Sequence, residues 1–209
     1  MREILLATGN AGKAREMKEI LSGVGDEICR RVRWRHLQEF TGWPEAIEDG
    51  RTFLENAQSK ALYYARLSGL WTIADDSGLE VDALGGEPGV RSARYAGEPK
   101  SDQANNALLV ERLAGVPDDQ RTARFRCAVA LADGRQVLAS AEGTVEGRII
   151  DHPRGANGFG YDPHFLVVSA GMTAAEMPPE QKHAVSHRGQ ALRKLAVQLA
   201  ALLSERAVY

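Results

Sequence analysis

The sequence predicts a mixed α/β fold, in which helices flank a β-sheet that has both parallel and antiparallel strands. Short apolar runs alternate with helical repeats, an order that is typical of β-α units with parallel strands. Two longer apolar runs, 122–132 and 136–145, are joined by Asp133-Gly134, which is a strong signal for an antiparallel hairpin. A hairpin among β-α units predicts a mixed sheet rather than a doubly wound parallel one.

The chain is predicted to open with a strand, a turn and a helix. Residues 3–7 form a short apolar run, and the Thr8-Gly9-Asn10 segment after it is a turn signal. Over 11–22 the apolar residues recur at helical spacing, which predicts a helix. Residues 27–34 alternate between apolar and polar side chains, so we expect a second strand there.

A second helix and a buried strand are predicted after a loop over residues 35–51. Thr52 and Glu55 have the spacing of a capping box, which predicts a helix that runs to Ser68 and ends at the glycine after it. Residues 71–74 are apolar and predict a buried strand.

The remaining segments are predicted to be a strand, a helix, a loop, a strand and a final helix. Residues 79–84 alternate like a strand, and 101–113 have the spacing of a helix. Residues 148–163 are rich in glycine and predict a loop, which a short strand over 164–168 follows. Leucines along one face of 185–206 predict the C-terminal helix.

The composition is that of an ordinary globular protein. With 209 residues, 44% hydrophobic and 26% charged, we expect one domain over residues 1–209, built as two lobes that the sequence does not separate. The formal net charge of -2 argues against a nucleic-acid polymer as partner, whereas a small polyanion needs only a few local cations. No apolar run approaches the ~18 residues of a membrane span, and no signal peptide is evident. We therefore expect a cytoplasmic protein with no membrane partner.

The predicted first strand-to-helix turn is a candidate anion site. It reads Thr8-Gly9-Asn10-Ala11-Gly12-Lys13, and backbone N–H groups at a helix start, together with a lysine, favour a phosphate. It is not a Walker A loop, because Ala14 stands where a Ser or Thr would hold magnesium. A plain turn with a solvated lysine is the alternative, and the segment alone does not decide between them.

Two carboxylates, Asp75 and Asp76, follow the predicted strand at 71–74. Ligands of α/β proteins bind at the carboxyl ends of strands, and a carboxylate there suits magnesium. In an extended segment neighbouring side chains point to opposite faces, so only one of the two is expected to face a given site. Asp, Ser and Gly also favour plain turns, so a turn over 75–78 stays an alternative.

Two further segments have unusual composition. Glycines surround Phe159 in the loop 155–163, so that its ring could lie against a planar base. Asp162 could then accept hydrogen bonds from the base. The alternative is that the aromatic side chains of the loop pack into the core. Near the C-terminus, His183 and His187 are four residues apart, but the glutamate of a zinc motif is absent. Basic groups at a helix start instead favour an anion or a keto oxygen.

Taken together, these segments resemble the inosine triphosphate pyrophosphatase family over residues 8–195. The segments that carry the resemblance, in order, are Thr8-Gly9-Asn10-x-x-Lys13-x-x-Glu16, Thr52-Phe53-x-Glu55-Asn56-Ala57-x-x-Lys60-Ala61, Ala74-Asp75-Asp76-Ser77-Gly78-Leu79, Gly89-Val90-x-Ser92-Ala93-Arg94-Tyr95, Gly158-Phe159-Gly160-Tyr161-Asp162-Pro163-x-Phe165 and Ser186-His187-Arg188-Gly189. The stretch 23–47 does not match closely, so Glu48 is placed only by its distance before Thr52.

The resemblance implies a fold, a reaction and an assembly. The fold is an elongated mixed sheet with flanking helices, as two lobes around a central active-site cleft. The reaction is Mg²⁺-dependent cleavage of the purine nucleoside triphosphates ITP, dITP and XTP between the α- and β-phosphates, which gives a nucleoside monophosphate and pyrophosphate. The assembly is a homodimer.

The resemblance also implies a role for each matching position. Asp76 is implied to be the general base and, with Glu48, the magnesium ligand, while Phe159 stacks on the purine and His187 and Arg188 read its 6-oxo edge. The residues implied to contact the substrate are Thr8, Gly9, Asn10, Ala11, Gly12, Lys13, Lys60, Ser77, Phe159, Gly160, Tyr161, Asp162, Lys182, His187 and Arg188. Thr8, Asn10 and the three lysines among them are implied to hold the triphosphate.

Two other functions are compatible with parts of this pattern. A nucleotide-binding module that does not hydrolyse its ligand would use the same residues, although Asp76, Glu48 and Lys13 favour an enzyme. A Maf-like pyrophosphatase for other modified nucleotides would share the general architecture but not the Ser186-His187-Arg188 segment.

Overall fold

The structure, a computed structural model, describes residues 1–24 and 26–205. Within these ranges it has seven strands and six α-helices. The strands are β1 (Arg2–Leu6), β2 (Val32–His36), β3 (Trp71–Val81), β4 (Thr122–Ala132), β5 (Val137–Ile149), β6 (Phe165–Val167) and β7 (Met172–Thr173). The helices are α1 (Ala11–Gly23), α2 (Asp26–Arg31), α3 (Phe53–Ser68), α4 (Asp102–Arg112), α5 (Pro179–Val185) and α6 (His187–Glu205). None of the helices in the described ranges is both long enough and apolar enough to span a membrane.

The strands form one mixed sheet in the order β2-β1-β3-β4-β5-β6-β7, which confirms the predicted fold class. Strand β1 pairs in parallel with β2 and with β3, whereas β5–β6 and β6–β7 are antiparallel pairs. The predicted hairpin turn is present between β4 and β5, where Oδ1 of Asp133 accepts hydrogen bonds from the backbone N–H groups of Arg135 and Gln136, both at 3.0 Å. Gly134 has a φ of +88°, a conformation that favours glycine.

The chain divides into two compact units that are interleaved along the sequence. Unit 1 comprises residues 1–76, 127–143 and those from 188 onward, and unit 2 comprises 77–126 and 144–187. Strands β3, β4 and β5 contribute residues to both units, so each of them begins in one unit and ends in the other. The single-domain organisation over residues 1–209 stays a prediction.

Each unit has its own hydrophobic core. In unit 1 the side chains of β1 alternate, because Ile4 belongs to a cluster that contains Met17 and Leu192, whereas Leu5 belongs to a cluster that contains Phe53. Helices α1 and α6 therefore supply one apolar cluster and α3 supplies another. The core of unit 2 is built around Leu109 and residues of β3, β4 and β6.

Some predicted elements differ from the structure in type or extent. Residues 27–34 were expected to be a strand, but α2 ends at Arg31 and β2 begins at Val32. Ile28 and Val32, both buried, have the i, i+4 spacing of a helix as well as the alternation of a strand. The alternative of a turn over 75–78 is wrong, and the strand predicted over 79–84 is not separate, because β3 continues to Val81 and a 3-10 helix follows over Asp82–Leu84.

The predicted C-terminal helix is two helices. The backbone of Ser186 is extended, with a ψ of 155°, so α5 ends at Val185 and α6 begins at His187. His183 and His187 are therefore not on one helix, because the i, i+4 spacing crosses this break. The predicted end of the helix at Arg206 lies outside the described residues.

Candidate active site

The turn between β1 and α1 has the structure of a helix N-terminus that is open to solvent. Asn10 is the N-cap of α1, and its Oδ1 accepts a hydrogen bond from Lys13 N at 3.0 Å. The backbone at Gly9 is exposed, and a Cβ added there would meet nothing within 4 Å. The helix dipole and the N–H groups at the start of α1 favour an anion at this position.

Lys13 is not a solvated lysine, so the plain-turn interpretation of this segment is wrong for its side chain. Its Nζ lies 3.2 Å from Oδ2 of Asp75, and only 17% of the side chain is exposed. The lysine is thereby held next to Asp75, in the middle of β3.

Asp75 and Asp76 lie within β3 and have different surroundings. Asp75 is fully buried, and although burial opposes its ionisation, Lys13 and Arg188 hold its pKa well below the usual range. Asp76 is 7% exposed, and burial raises its pKa above the usual range, an effect that Lys13 and Lys60 only partly offset. Asp75 is therefore charged at neutral pH and acts as an ion-pair partner, and Asp76 is the more basic of the two carboxylates.

Asn56 of α3 orients the Asp76 carboxylate. Its Nδ2 donates a hydrogen bond of 2.9 Å to Oδ2 of Asp76, and its Oδ1 accepts one of 2.8 Å from Gly50 N. The residue is 2% exposed. A Cβ at position 50 would lie 2.6 Å from Oδ1 of Asn56, so a glycine is needed at this approach. Sequence reasoning assigned Asn56 no role, and its spacing of four residues from Lys60 was the available signal.

The loop before α3 brings Glu48 to Lys60. Glu48 Oε1 and Lys60 Nζ form a close ion pair, and the Lys60 side chain is 12% exposed. Burial would lower the pKa of Lys60, but the carboxylates around it, first that of Asp75 and then that of Glu48, raise it. Lys60 is thus a buried cation among carboxylates rather than a solvated surface lysine.

Aromatic side chains attach this loop to α3. The hydroxyl of Tyr64 accepts a hydrogen bond of 3.2 Å from Ala46 N, and the Trp43 ring stacks on Tyr64 with centroids 6.3 Å apart. The predicted cap is also present, since Thr52 Oγ1 accepts from Glu55 N at 3.1 Å. These contacts fix the chain on both sides of Glu48.

The chemistry of Glu48 and Asp76 fits a magnesium ion. Both are hard oxygen donors, both raise the pKa of Lys60, and the charge of Glu48 also raises the pKa of Asp76. Among the described residues no group of three or more His, Cys, Asp or Glu side chains is arranged for a metal. Magnesium in nucleotide enzymes is commonly bound by one or two carboxylates together with substrate phosphates, so two carboxylates are sufficient.

Arg188 is held by two carboxylates inside unit 1. Its Nη1 lies 2.5 Å from Oε2 of Glu16 and its Nη2 lies 3.3 Å from Oδ2 of Asp75, with 1% of the residue exposed. Burial opposes the charge, but the two carboxylates raise the pKa of Arg188 above its usual value. Sequence reasoning did not assign Glu16 this contact, because α1 and α6 are distant in the sequence.

In unit 2 the glycine-rich loop is organised around Asp162. Its Oδ2 accepts hydrogen bonds from Lys182 Nζ at 2.7 Å and from Phe159 N at 2.9 Å. Lys182 Nζ lies 5.0 Å from the centroid of the Phe159 ring, within the range of a cation–π contact. Gly158 has a φ of +78°, and a Cβ there would lie 2.1 Å from Oδ2 of Asp162. The structure therefore groups Lys182 with Phe159, whereas Lys13 and Lys60 belong to unit 1.

The two aromatic side chains of this loop, Phe159 and Tyr161, differ in burial. Tyr161 is 5% exposed, belongs to the core of unit 2, and donates a hydrogen bond of 2.8 Å to the carbonyl oxygen of Ser92. Phe159 is half-buried. Core packing is thus confirmed for Tyr161, whereas Phe159 is less buried than Tyr161.

His187 and Ser77 also belong to unit 2. The His187 ring stacks on Phe125 with centroids 4.9 Å apart and an interplanar angle of 17°, and the residue is 6% exposed. Ser77 follows Asp76 directly in β3. Phe125 was not singled out in the sequence, and nothing local marks it.

Comparisons with known proteins point to one family. The model of the Ham1 family matches residues 4–198. A dITP/XTP pyrophosphatase from Methylococcus capsulatus is 51% identical over 203 residues, which cover 96% of this chain and 98% of that protein. A dITP/XTP pyrophosphatase from Exiguobacterium sibiricum is 49% identical over 203 residues, with 97% and 100% covered.

Solved structures agree with the sequence comparisons. A HAM1 protein from Coxiella burnetii superposes with a TM-score of 0.84 at 42% identity, covering 96% of this chain and 100% of that one. The Staphylococcus aureus Ham1 protein gives a TM-score of 0.83 at 39% identity, with the same coverage.

Proposed function

Because the chain belongs to the Ham1 family, we propose that it hydrolyses the non-standard purine nucleoside triphosphates dITP, ITP and XTP. The products are the nucleoside monophosphate and pyrophosphate. The observation that carries the proposal is the Asp76 carboxylate, which is buried, raised in pKa and oriented by Asn56 beside the ion pair of Glu48 and Lys60. This surrounding suits a general base in a hydrolase for polyanionic substrates.

The phosphates are assigned to the cations and the helix start of unit 1. Lys13 and Lys60 supply positive charge, and N–H groups at the start of α1, such as those of Ala11 and Gly12, supply hydrogen bonds to phosphate oxygens. Thr8 and Asn10 belong to the same turn, and Asn10 keeps it in shape as the N-cap. A bound triphosphate would pair with these lysines in place of part of the negative charge that the carboxylates now supply to them.

Glu48 and Asp76 are assigned to a Mg²⁺ ion. When bound there, the ion would withdraw charge from the phosphate oxygens and so make the α-phosphorus more electrophilic. Asp76 accepts the proton of the water that attacks this phosphorus, and the bond to the oxygen that bridges the α- and β-phosphates breaks. Asn56 keeps the carboxylate in one orientation throughout, because Oδ1 of its amide accepts from Gly50 N while Nδ2 donates to Asp76.

The purine is assigned to Phe159 and to the pair His187-Arg188. A base stacked on the accessible face of Phe159 gains roughly 1–3 kcal/mol, with little dependence on base identity. Specificity has to come from hydrogen bonds: a donor that faces a 6-oxo group would face the 6-amino group of adenine, and an unpaired buried donor is costly. Ser77 and the segment Gly160–Asp162 complete the assigned contacts. Lys182 keeps the role that the resemblance implies, a contact to the triphosphate, and its contacts with Asp162 and Phe159 hold its ammonium group in place.

A substrate panel tests the proposal. Purified protein is incubated with Mg²⁺ and, separately, with dITP, ITP, XTP, dGTP, dATP and modified pyrimidine triphosphates, and both pyrophosphate and phosphate release are measured. We expect pyrophosphate from the first three at the highest kcat/KM. Binding without release of pyrophosphate would indicate a non-hydrolysing nucleotide-binding module, and preference for the modified pyrimidines would indicate a Maf-like activity.

The assembly is proposed on the family resemblance alone. We expect a homodimer, which light scattering coupled to size-exclusion chromatography would detect as twice the chain mass of 22.7 kDa. A monomer at micromolar concentration would contradict it. A cytoplasmic location stays a prediction.

A further inference from the structure

Two side chains of α4 hold one residue of the glycine-rich loop. Oδ2 of Asp102 accepts a hydrogen bond of 2.8 Å from Gly160 N, and Nδ2 of Asn106 donates one of 2.9 Å to the Gly160 carbonyl oxygen. Asp102 and Asn106 are four residues apart and therefore lie on one face of α4. Gly160 directly follows the half-buried Phe159 in the chain.

These two hydrogen bonds fix both peptide planes that flank Gly160. Its N–H belongs to the peptide that joins it to Phe159, and its carbonyl belongs to the peptide that joins it to Tyr161. Gly160 has a φ of +61°, and a Cβ added there would meet nothing within 4 Å, so no side-chain contact at this position helps to hold the loop. Since glycine has more backbone freedom than any other residue, its conformation depends on hydrogen bonds: the two from α4 and the turn bond from Asp162 N to the Phe159 carbonyl oxygen, at 3.3 Å.

Helix α4 is a firm support for these contacts. Ser101 caps it, and Leu109 is fully buried in the core of unit 2. Asn105, which is 3% exposed, accepts a hydrogen bond of 2.8 Å from Ala96 N and donates to the carbonyl oxygen of Ser92 at 3.4 Å. The hydroxyl of Tyr161 donates to the same Ser92 oxygen, so the helix and the loop share a partner.

We propose that Asp102 and Asn106 are positioning residues for the purine base of the substrate. They hold Gly160 in one conformation, so that the Phe159 ring is already in place when the base arrives and binding does not have to order the loop. The proposal rests on the proposed function in one respect, the stacking of the base on Phe159. It assigns these residues no contact with substrate and no part in the chemical step.

The test uses paired substitutions at each position. Asp102→Ala and Asn106→Ala remove the hydrogen bonds, Asp102→Asn keeps an oxygen that accepts from Gly160 N, and Asn106→Asp replaces the donor by an acceptor that faces a carbonyl oxygen. Gln103→Ala, an exposed residue on the same helix, is the matched control. Melting temperatures of all five variants show whether each one folds.

The expected result is a change in KM that depends on the base. Losing one of these hydrogen bonds should raise KM for ITP about three- to tenfold with kcat within about twofold. Inhibition by inorganic tripolyphosphate, which has no base, should not change. Asp102→Asn should recover most of the lost affinity, Asn106→Asp should not, and Gln103→Ala should behave as wild type. In a Phe159→Ala background the alanine substitutions should add little to KM, since the ring that they position is gone.

Two results would overturn the proposal. One is an unchanged KM for ITP in both alanine variants; the other is an equal loss of affinity for ITP and for tripolyphosphate. Amide hydrogen exchange at Gly160 gives a readout that needs no activity: exchange should accelerate in Asp102→Ala and not in Asp102→Asn. If the wild-type protein failed to hydrolyse ITP while this exchange pattern held, the proposed function would be wrong, but the restriction of Gly160 by Asp102 would be confirmed.

Discussion

Asn56 connects the loop that carries Glu48 to the carboxylate of Asp76. Its Oδ1 accepts from Gly50 N at 2.8 Å, and its Nδ2 donates to Oδ2 of Asp76 at 2.9 Å. One buried amide therefore ties together the two segments that supply the proposed magnesium ligands. A side chain of this kind is expected to affect the reaction without touching the substrate.

Removal of the proposed general base should abolish turnover but not folding. Asp76→Asn keeps the shape of the side chain and an oxygen that accepts from Asn56, yet it cannot take a proton from water. We expect kcat for ITP to fall by about 10²- to 10⁴-fold, the range for loss of general-base catalysis. Pyrophosphate release measures the effect, and Asp119→Asn, at an exposed position, is the control. Near-wild-type turnover in Asp76→Asn would mean that another group takes the proton.

Removal of the Asn56 amide should lower kcat more than it changes KM. Asn56→Ala leaves the Asp76 carboxylate without its orienting donor and leaves the N–H of the half-buried Gly50 without this acceptor. We expect a stability loss of about 1–3 kcal/mol from the unpaired groups and a lower kcat. Ser59→Ala, on an exposed face of α3, is the matched control. A kcat equal to that of wild type in a folded Asn56→Ala protein would argue against the orienting role.

Loss of the Phe159 ring should weaken binding of the whole nucleotide but not of its phosphates. Base stacking contributes roughly 1–3 kcal/mol, so Phe159→Ala should raise KM for ITP by about 5- to 150-fold. Phe159→Trp, which keeps a ring, should retain most of the affinity. Lys13→Ala is the complementary variant, since it should weaken binding of ITP and of tripolyphosphate alike. Equal sensitivity of tripolyphosphate inhibition to both substitutions would contradict the assignment of the base to Phe159.

The buried ion pairs of Asp75 should contribute more to the free energy of unfolding than an exposed ion pair does. Asp75→Ala removes a carboxylate that faces Arg188 and Lys13, and breaking a buried pair typically costs about 3–5 kcal/mol. Asp82→Ala, which breaks an exposed pair with Arg124, should cost less than about 1 kcal/mol. Urea unfolding of the three proteins at neutral pH compares the two cases. Similar losses for both variants would show that burial does not set the difference.

The pH dependence of the stability that Asp75 contributes follows from the direction in which folding shifts its pKa. The pKa of Asp75 in the folded chain is below the value of about 3.9 for an unfolded chain, so its charge stabilises the fold above that value. As the pH falls from about 4 toward the folded-state pKa, the contribution should be lost. The difference in unfolding free energy between wild type and Asp75→Ala should therefore narrow below pH ~4. A difference that is constant down to pH ~2 would contradict this origin.

Elements with strong local signals were predictable. The cap at Thr52 and the hairpin turn at Asp133-Gly134 appear as expected, because each depends on residues that are a few positions apart. The mixed sheet also appears as expected, since a hairpin among β-α units indicates it. The helix over 26–31 and the uninterrupted β3 were not predictable in this way. The alternation near Ile28 fits either period, and Asp75 remains within a strand because distant cations compensate its charge.

Candidate residues were recognisable by type, but their partners were not. Lys13 and Lys60 could each have been solvated, and the structure instead surrounds them with carboxylates. Lys182 belongs with Asp162 and Phe159, which spacing could not indicate. Phe125 carries no local signal at all, and its relation to His187 exists only in the folded chain.

The sequence by itself determined which chemistry was available: a helix start with a lysine, two adjacent carboxylates after an apolar run, and a glycine-rich loop with aromatic side chains. Only the tertiary structure decided how these groups are charged and oriented. Arg188 is held by Glu16, which is 172 positions away, and by Asp75, which is 113 positions away. A charge can be buried only where opposite charges meet it, and contacts over such distances in the chain form only when it folds.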